Sequence, residues 1–102
     1  MLALTRFRVA PADEATFVEL ARAASAFFLT RPGCESAEVL RNLDEPALWV
    51  LASRWVDVGS YRHAYNGYDA KMILTPLMVL ALDEPGAYGR PGEVGHNRPR
   101  GD

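Results

Sequence analysis

The chain has 102 residues, 49% of them apolar, with eleven Lys+Arg against thirteen Asp+Glu for a net charge of −2. That length suits one small domain with a core of its own, and the balanced charge leaves no basic field for nucleic acid. Cys34 is the only cysteine, which excludes an internal disulfide and fits a reducing compartment, most simply the cytoplasm, while the opening MLALTRFRVA carries Arg6 and Arg8 inside its apolar run and is too short and too charged for a signal peptide or membrane span.

Leu2 to Val9 alternates, with Leu2, Leu4, Arg6 and Arg8 on one face and Ala3, Thr5, Phe7 and Val9 on the other, so it reads as a first strand. Pro11 ends it. Asp13 and Glu14 then open a helix whose apolar stripe is Phe17, Leu20, Ala21, Ala24, Phe27 and Phe28. The helix stops before Pro32 and Gly33, whose turn leads into a second strand from Cys34. The third strand, Ala47 to Val56, is apolar on both faces through LWVLA, as in a strand covered on both sides.

Asp57 is the expected N-cap of a second helix, where Tyr61, Ala64, Tyr65 and Tyr68 form one stripe that Met72 extends. Gly59 and Gly67 weaken this helix, which is therefore short or broken. Thr75 to Leu82 fits the end of a helix or a fourth strand. The tetrapeptide LDEP occurs at Leu43–Pro46 and again at Leu82–Pro85, which favours two strand–helix–strand halves and hence the strand. Residues 86–102 hold five of the eight glycines and two of the seven prolines and read as a tail that is flexible or wraps a partner subunit, behind a domain of residues 1–85.

The expected fold is α+β and ferredoxin-like: a split βαβ with a four-stranded antiparallel sheet and both helices on one face. The doubly apolar third strand needs a cover on the open face, and a second copy of the same sheet is the simplest one, giving a homodimer.

FRVAP before the first helix, RPGCESAEVLRNLDEP, and LASRWVDVGSYRHA are the stretches in which the chain resembles the antibiotic biosynthesis monooxygenase family of dimeric α/β-barrel proteins, over residues 2–85. The resemblance implies a homodimer with a pocket between helices and sheet in each subunit. Characterised relatives oxygenate polycyclic aromatic or quinol-type substrates without metal or flavin, and others degrade haem or act on quinones. Many relatives place a histidine nine residues after the strand-end tryptophan. Here that position is Ala64 and the histidine is His63, turned about 100° away, which counts against haem.

Cofactor-free oxygenation needs a dry aromatic pocket, a proton acceptor and a donor to the developing oxyanion. Trp55 can stack on a flat substrate and donate its indole N–H, or can be a core tryptophan at a strand end. Tyr61, Tyr65 and Tyr68 can line the same pocket and relay protons, or form a core stripe with hydroxyls at the rim. Trp49 lies about 20 Å along the strand from Trp55 and belongs to the core or a dimer interface. Arg6 and Arg54 can bind a carboxylate or enolate, or form ion pairs across the sheet. Asn66 can hydrogen-bond a substrate carbonyl, or mark a helix C-terminus ahead of Gly67. Cys34 has no neighbour in sequence to lower its pKa and reads as a small strand residue.

No metal-ligand spacing links His63, His96 and Cys34, and there is neither GxGxxG nor a P-loop, so no cofactor is expected. The resemblance therefore implies a cofactor-independent monooxygenase for a hydrophobic aromatic small molecule. The alternative is a non-catalytic dimeric module of the same fold that binds a small molecule or a protein.

Overall fold

The computed structural model describes residues 1–94. Strand β1 (Leu2–Arg8) is followed by a 3-10 turn (Pro11–Asp13), helix α1 (Glu14–Leu29), strands β2 (Cys34–Arg41) and β3 (Leu48–Trp55), helices α2 (Val58–His63) and α3 (Tyr68–Met78), strand β4 (Ala87–Tyr88) and a short α4 (Pro91–Val94). The sheet is antiparallel throughout in the order β2-β3-β1-β4, which is the ferredoxin-like arrangement expected. Residues 95–102, with His96 and the end of the expected tail, lie outside the described residues.

Strand parity decides which side chains enter the core. Ala3 and Phe7 of β1 and Leu51, Ser53 and Trp55 of β3 are buried under α1 and α3, which contribute Phe17, Ala21, Ala24 and Phe28, and Ala70, Leu74 and Leu77. Each of the large side chains stabilises the fold by roughly 1.5–3 kcal/mol through burial alone. The three ion pairs among the described residues are solvent-exposed and contribute far less. Trp49 sits at the core's edge, with its ring 5.4 Å from Phe17 and the Arg41 guanidinium 4.6 Å above it. The opposite sheet face carries Leu48, Val50 and Ala52 of β3, half-buried, beside Leu40 of β2, which is 45% exposed.

Two expectations about the second half need correction. The fourth strand is not Thr75–Leu82: Ala70, Leu74 and Leu77 are buried at i, i+4 and i+7, so that stretch continues α3 to Met78, and Val79 is left 72% exposed. The strand is instead Ala87–Tyr88, inside the stretch read as tail, paired to Leu2 and Ala3. Nor is the tyrosine stripe continuous. α2 ends at His63, and Gly67, at φ 99°, resets the helical phase before α3 begins. Tyr68 and Met72 consequently stand 75% and 58% exposed, away from the face shared by Tyr61, Ala64 and Tyr65.

Gly33, at φ 85°, does what the proline–glycine turn requires: a Cβ there would sit 2.5 Å from Ser60 Oγ, so the turn before β2 packs directly on the first turn of α2. Asp57 caps that helix as expected, its carboxylate accepting the Ser60 N–H at 2.7 Å. This backbone bond, helped by the Ser60 side chain, holds the Asp57 carboxyl below its usual pKa. A depressed folded-state pKa means stability that is present above the unfolded value of about 3.9 and is lost as pH falls through the folded one. Asp57→Asn removes this charge-linked part. Its melting temperature is expected below wild type at neutral pH, with the gap closing in acid; a gap constant with pH in thermal melts would contradict the assignment.

Candidate functional site

Four aromatic residues build the back wall of the site. Phe28 packs edge-on to Trp55, with ring centroids 5.3 Å apart, and to Tyr65 at 5.7 Å, while Tyr61 lies 5.6 Å from Trp55 and 5.3 Å from Tyr65. They meet because β3 ends at Trp55 and the capped turn at Asp57 starts α2 at once, placing Tyr61 and Tyr65 four residues apart over the end of the strand.

Trp55 is the deepest of the four. It has no exposed surface, and its indole N–H donates to Ser53 Oγ at 2.8 Å. Neither its ring face nor its donor is available to a ligand, which corrects the expectation of a stacking and donating tryptophan. A strand-end position that alternates inward, under α1, leaves it no opening.

The tyrosines reach further. Their hydroxyls are 3.0 Å apart, in the wall of a cleft of about 400 Å³ bounded by Leu4, Arg6, Met78 and Glu84. Burial, then the neighbouring Tyr61 hydroxyl, pushes the Tyr65 pKa well above the ordinary phenol value, so Tyr65 is a donor and not a base at neutral pH. Two O–H groups share one mutual bond, so one O–H of the couple remains free to donate.

The chain from Leu82 to Gly86 runs along the edge of β1 and borders the cleft. The Leu82 N–H donates to Arg6 O at 2.8 Å and the Leu4 N–H to Gly86 O at 2.7 Å, tying the loop to the strand on both sides of Glu84. Arg6 projects at this rim and holds Glu84 through two bonds, Nε to Oε1 at 2.5 Å and Nη2 to Oε2 at 2.9 Å. That pairing lowers the Glu84 pKa and raises that of Arg6.

Arg6, Tyr61 and Tyr65 are thus brought together, and the other expected site residues are not. Arg54 lies in a separate cleft of about 490 Å³ with Glu35, Tyr88 and Arg90. Asn66 is exposed in the break after α2, its amide 3.2 Å from His63 Nδ1, in keeping with a helix end. Ala64 is buried and His63 exposed, so the histidine faces away from the tyrosines. Cys34 is half-buried, with its Sγ 3.5 Å from Ser36 O, and burial raises its pKa, leaving little thiolate.

Glu84, Ser53 and Met78 were not singled out from the sequence. Glu84 lies in the second LDEP copy. Both copies are loops, and each gives its glutamate to an arginine of β1, Glu45 to Arg8 at 2.8 Å and Glu84 to Arg6.

An antiparallel ferredoxin-like sheet with a tyrosine-walled cleft beside β1 defines a small α+β domain. The family model of antibiotic biosynthesis monooxygenase matches residues 1–68, more than half of the chain, and the protein belongs to that family. Among solved structures, SnoaB from Streptomyces nogalater, a cofactor-independent oxygenase, is 26% identical, with 88% of this chain and 92% of that one covered at a TM-score of 0.68. A conserved protein from Methanosarcina mazei Go1 is 23% identical over 84% of each chain, with a TM-score of 0.69, and Rv0793 from Mycobacterium tuberculosis is 19% identical over 84% of this chain and 86% of that one, with a TM-score of 0.67; these two share the fold. No curated protein matches the chain.

Proposed function

We propose that the protein is a cofactor-independent monooxygenase acting on a polycyclic aromatic or quinol-like small molecule, as a homodimer in the cytoplasm. The observation that carries this reading is the Tyr61–Tyr65 hydroxyl couple in the wall of the cleft. Family membership and the likeness to SnoaB support it.

The chemistry asks little of the protein. An anthrone-type CH2 gives up a proton to solvent at the rim, and the resulting enolate passes an electron to O2. The two radicals combine in a C–O bond, and the peroxide anion takes a proton back from solvent. Loss of water from the hydroperoxide leaves C=O, so CH2 and O2 become C=O and H2O. The free O–H of the tyrosine couple donates to the enolate oxygen as charge builds there. Leu4 and Met78 supply apolar walls, and Trp55 positions Tyr61 from behind without touching the substrate.

The half-buried Leu48, Val50 and Ala52, with Leu40, form the apolar part of the outer sheet face that a second copy would cover. Oxygen uptake by the metal-stripped protein with anthrones and naphthols, alongside light scattering at micromolar concentration, tests both parts. Uptake above the spontaneous rate by a species of dimer mass is expected. A folded monomer would remove the homodimer, and absence of uptake across the panel would remove the oxygenase.

The buried, fully hydrogen-bonded Trp55 favours a second reading, a non-catalytic module that binds a small molecule in the same cleft. It predicts binding of the same compounds without uptake.

A further inference from the structure

Arg6 is the cation at the rim of the tyrosine cleft, and its partner is supplied from a loop. The pair has the fork geometry by which a guanidinium takes any planar carboxylate, with both nitrogens engaged. In the single subunit the two side chains are 45% and 33% exposed, so there the contact is water-screened and readily exchanged. The loop itself need not move for this. It is tied on both sides of Glu84 by the Leu82–Arg6 and Leu4–Gly86 backbone bonds, and only the Glu84 side chain has to swing out into solvent.

The first LDEP loop offers an internal comparison. Glu45 meets Arg8 through a single contact at 2.8 Å, both side chains are more than half exposed, and neither lines the tyrosine cleft. The same tetrapeptide therefore makes two glutamate–arginine pairs on one strand. Only the second faces a cavity with apolar walls and a phenolic donor.

We propose that Arg6 and Glu84 form an exchangeable ion pair and that the cleft takes an aromatic carboxylic acid, whose carboxylate replaces Glu84 on Arg6 while its ring lies against Tyr61, Tyr65, Leu4 and Met78. This rests on the reading of the cleft as the substrate site. Glu84 is then a specificity-determining residue. It neutralises Arg6 in the empty protein, and it is the carboxylate that a ligand must displace.

Isothermal titration with 3-hydroxy-2-naphthoate and with neutral 2-naphthol separates the two ideas. Wild type is expected to bind the acid about tenfold more tightly than the naphthol, the scale of one charge-assisted contact. Arg6→Gln abolishes that advantage, so that the two compounds bind alike. Glu84→Gln frees Arg6 and tightens the acid severalfold relative to the naphthol. Arg8→Gln changes neither. Naphthol binding that Tyr65→Phe weakens, with no preference for the acid or with a preference that survives Arg6→Gln, overturns the exchange and leaves the cleft standing. If neither compound binds the folded protein, the cleft reading falls and the exchange falls with it.

Discussion

Tyr65→Phe is expected to lower oxygen uptake with an anthrone on the order of 10²-fold, the scale of losing one positioned donor to a developing oxyanion. The substitution is conservative for the fold. The ring that packs 5.7 Å from Phe28 is retained, and only the hydroxyl bonded to Tyr61 disappears. What is lost is the couple. With both hydroxyls present, one O–H serves the mutual bond and the other faces the ligand; with one, Tyr61 must hold its own orientation. Tyr61→Phe is expected to act the same way, and the double variant to be hardly worse than either single one, because residues that act as a unit are not additive. Oxygen-electrode rates compared with the spontaneous reaction check this. Unchanged rates in both single variants would make the couple a packing feature and return weight to the binding module.

The largest expected effect on stability belongs to Trp55. Its side chain is fully buried against Phe28 and Tyr61, and its N–H satisfies the buried Ser53 hydroxyl. Trp55→Phe removes part of that volume and orphans Ser53, two terms that together destabilise by about 2–4 kcal/mol. A shift of the urea midpoint at unchanged slope is the signature expected. Under conditions where the variant is folded, oxygen uptake should fall only a few-fold, since Trp55 reaches the cleft only through Tyr61. Full loss of uptake with an unshifted midpoint would place the indole in contact with substrate and overturn its reading as a buried positioning residue. Trp55→Phe paired with Ser53→Ala should recover part of the stability, since the orphaned hydroxyl is then gone.

The two variants separate roles that look alike in the sequence. Trp55, Tyr61 and Tyr65 are all aromatic, all near the end of β3, and all plausible pocket residues by type. Depth distinguishes them. Trp55 alternates inward on a strand beneath α1, whereas Tyr61 stands on the short capped helix α2 and Tyr65 in the turn that follows it. The partner of the Trp55 N–H was within reach of strand parity, since Ser53 lies two residues away on the same face. The partner of Arg6 was not: Glu84 is 78 residues distant, and no local pattern orients one toward the other.

By itself the sequence determined the elements whose signal is local. β1, α1, β2 and β3 follow from alternation, helical spacing and the Pro32–Gly33 turn, the cap follows from Asp57, and the spacing of these motifs carried the family. The tertiary structure decided what depends on contacts far along the chain. Gly67 takes a positive φ and re-phases α3, which puts Tyr68 and Met72 outside while Ala70, Leu74 and Leu77 go in. β4 is two residues long, too short to show a period, and it becomes a strand only because β1 offers Leu2 and Ala3 a free edge. The cleft arises the same way, beside the Leu82–Gly86 segment that two backbone bonds tie to that edge. Periodicity records which face a residue shares with its near neighbours; it carries no record of which distant segment will meet that face.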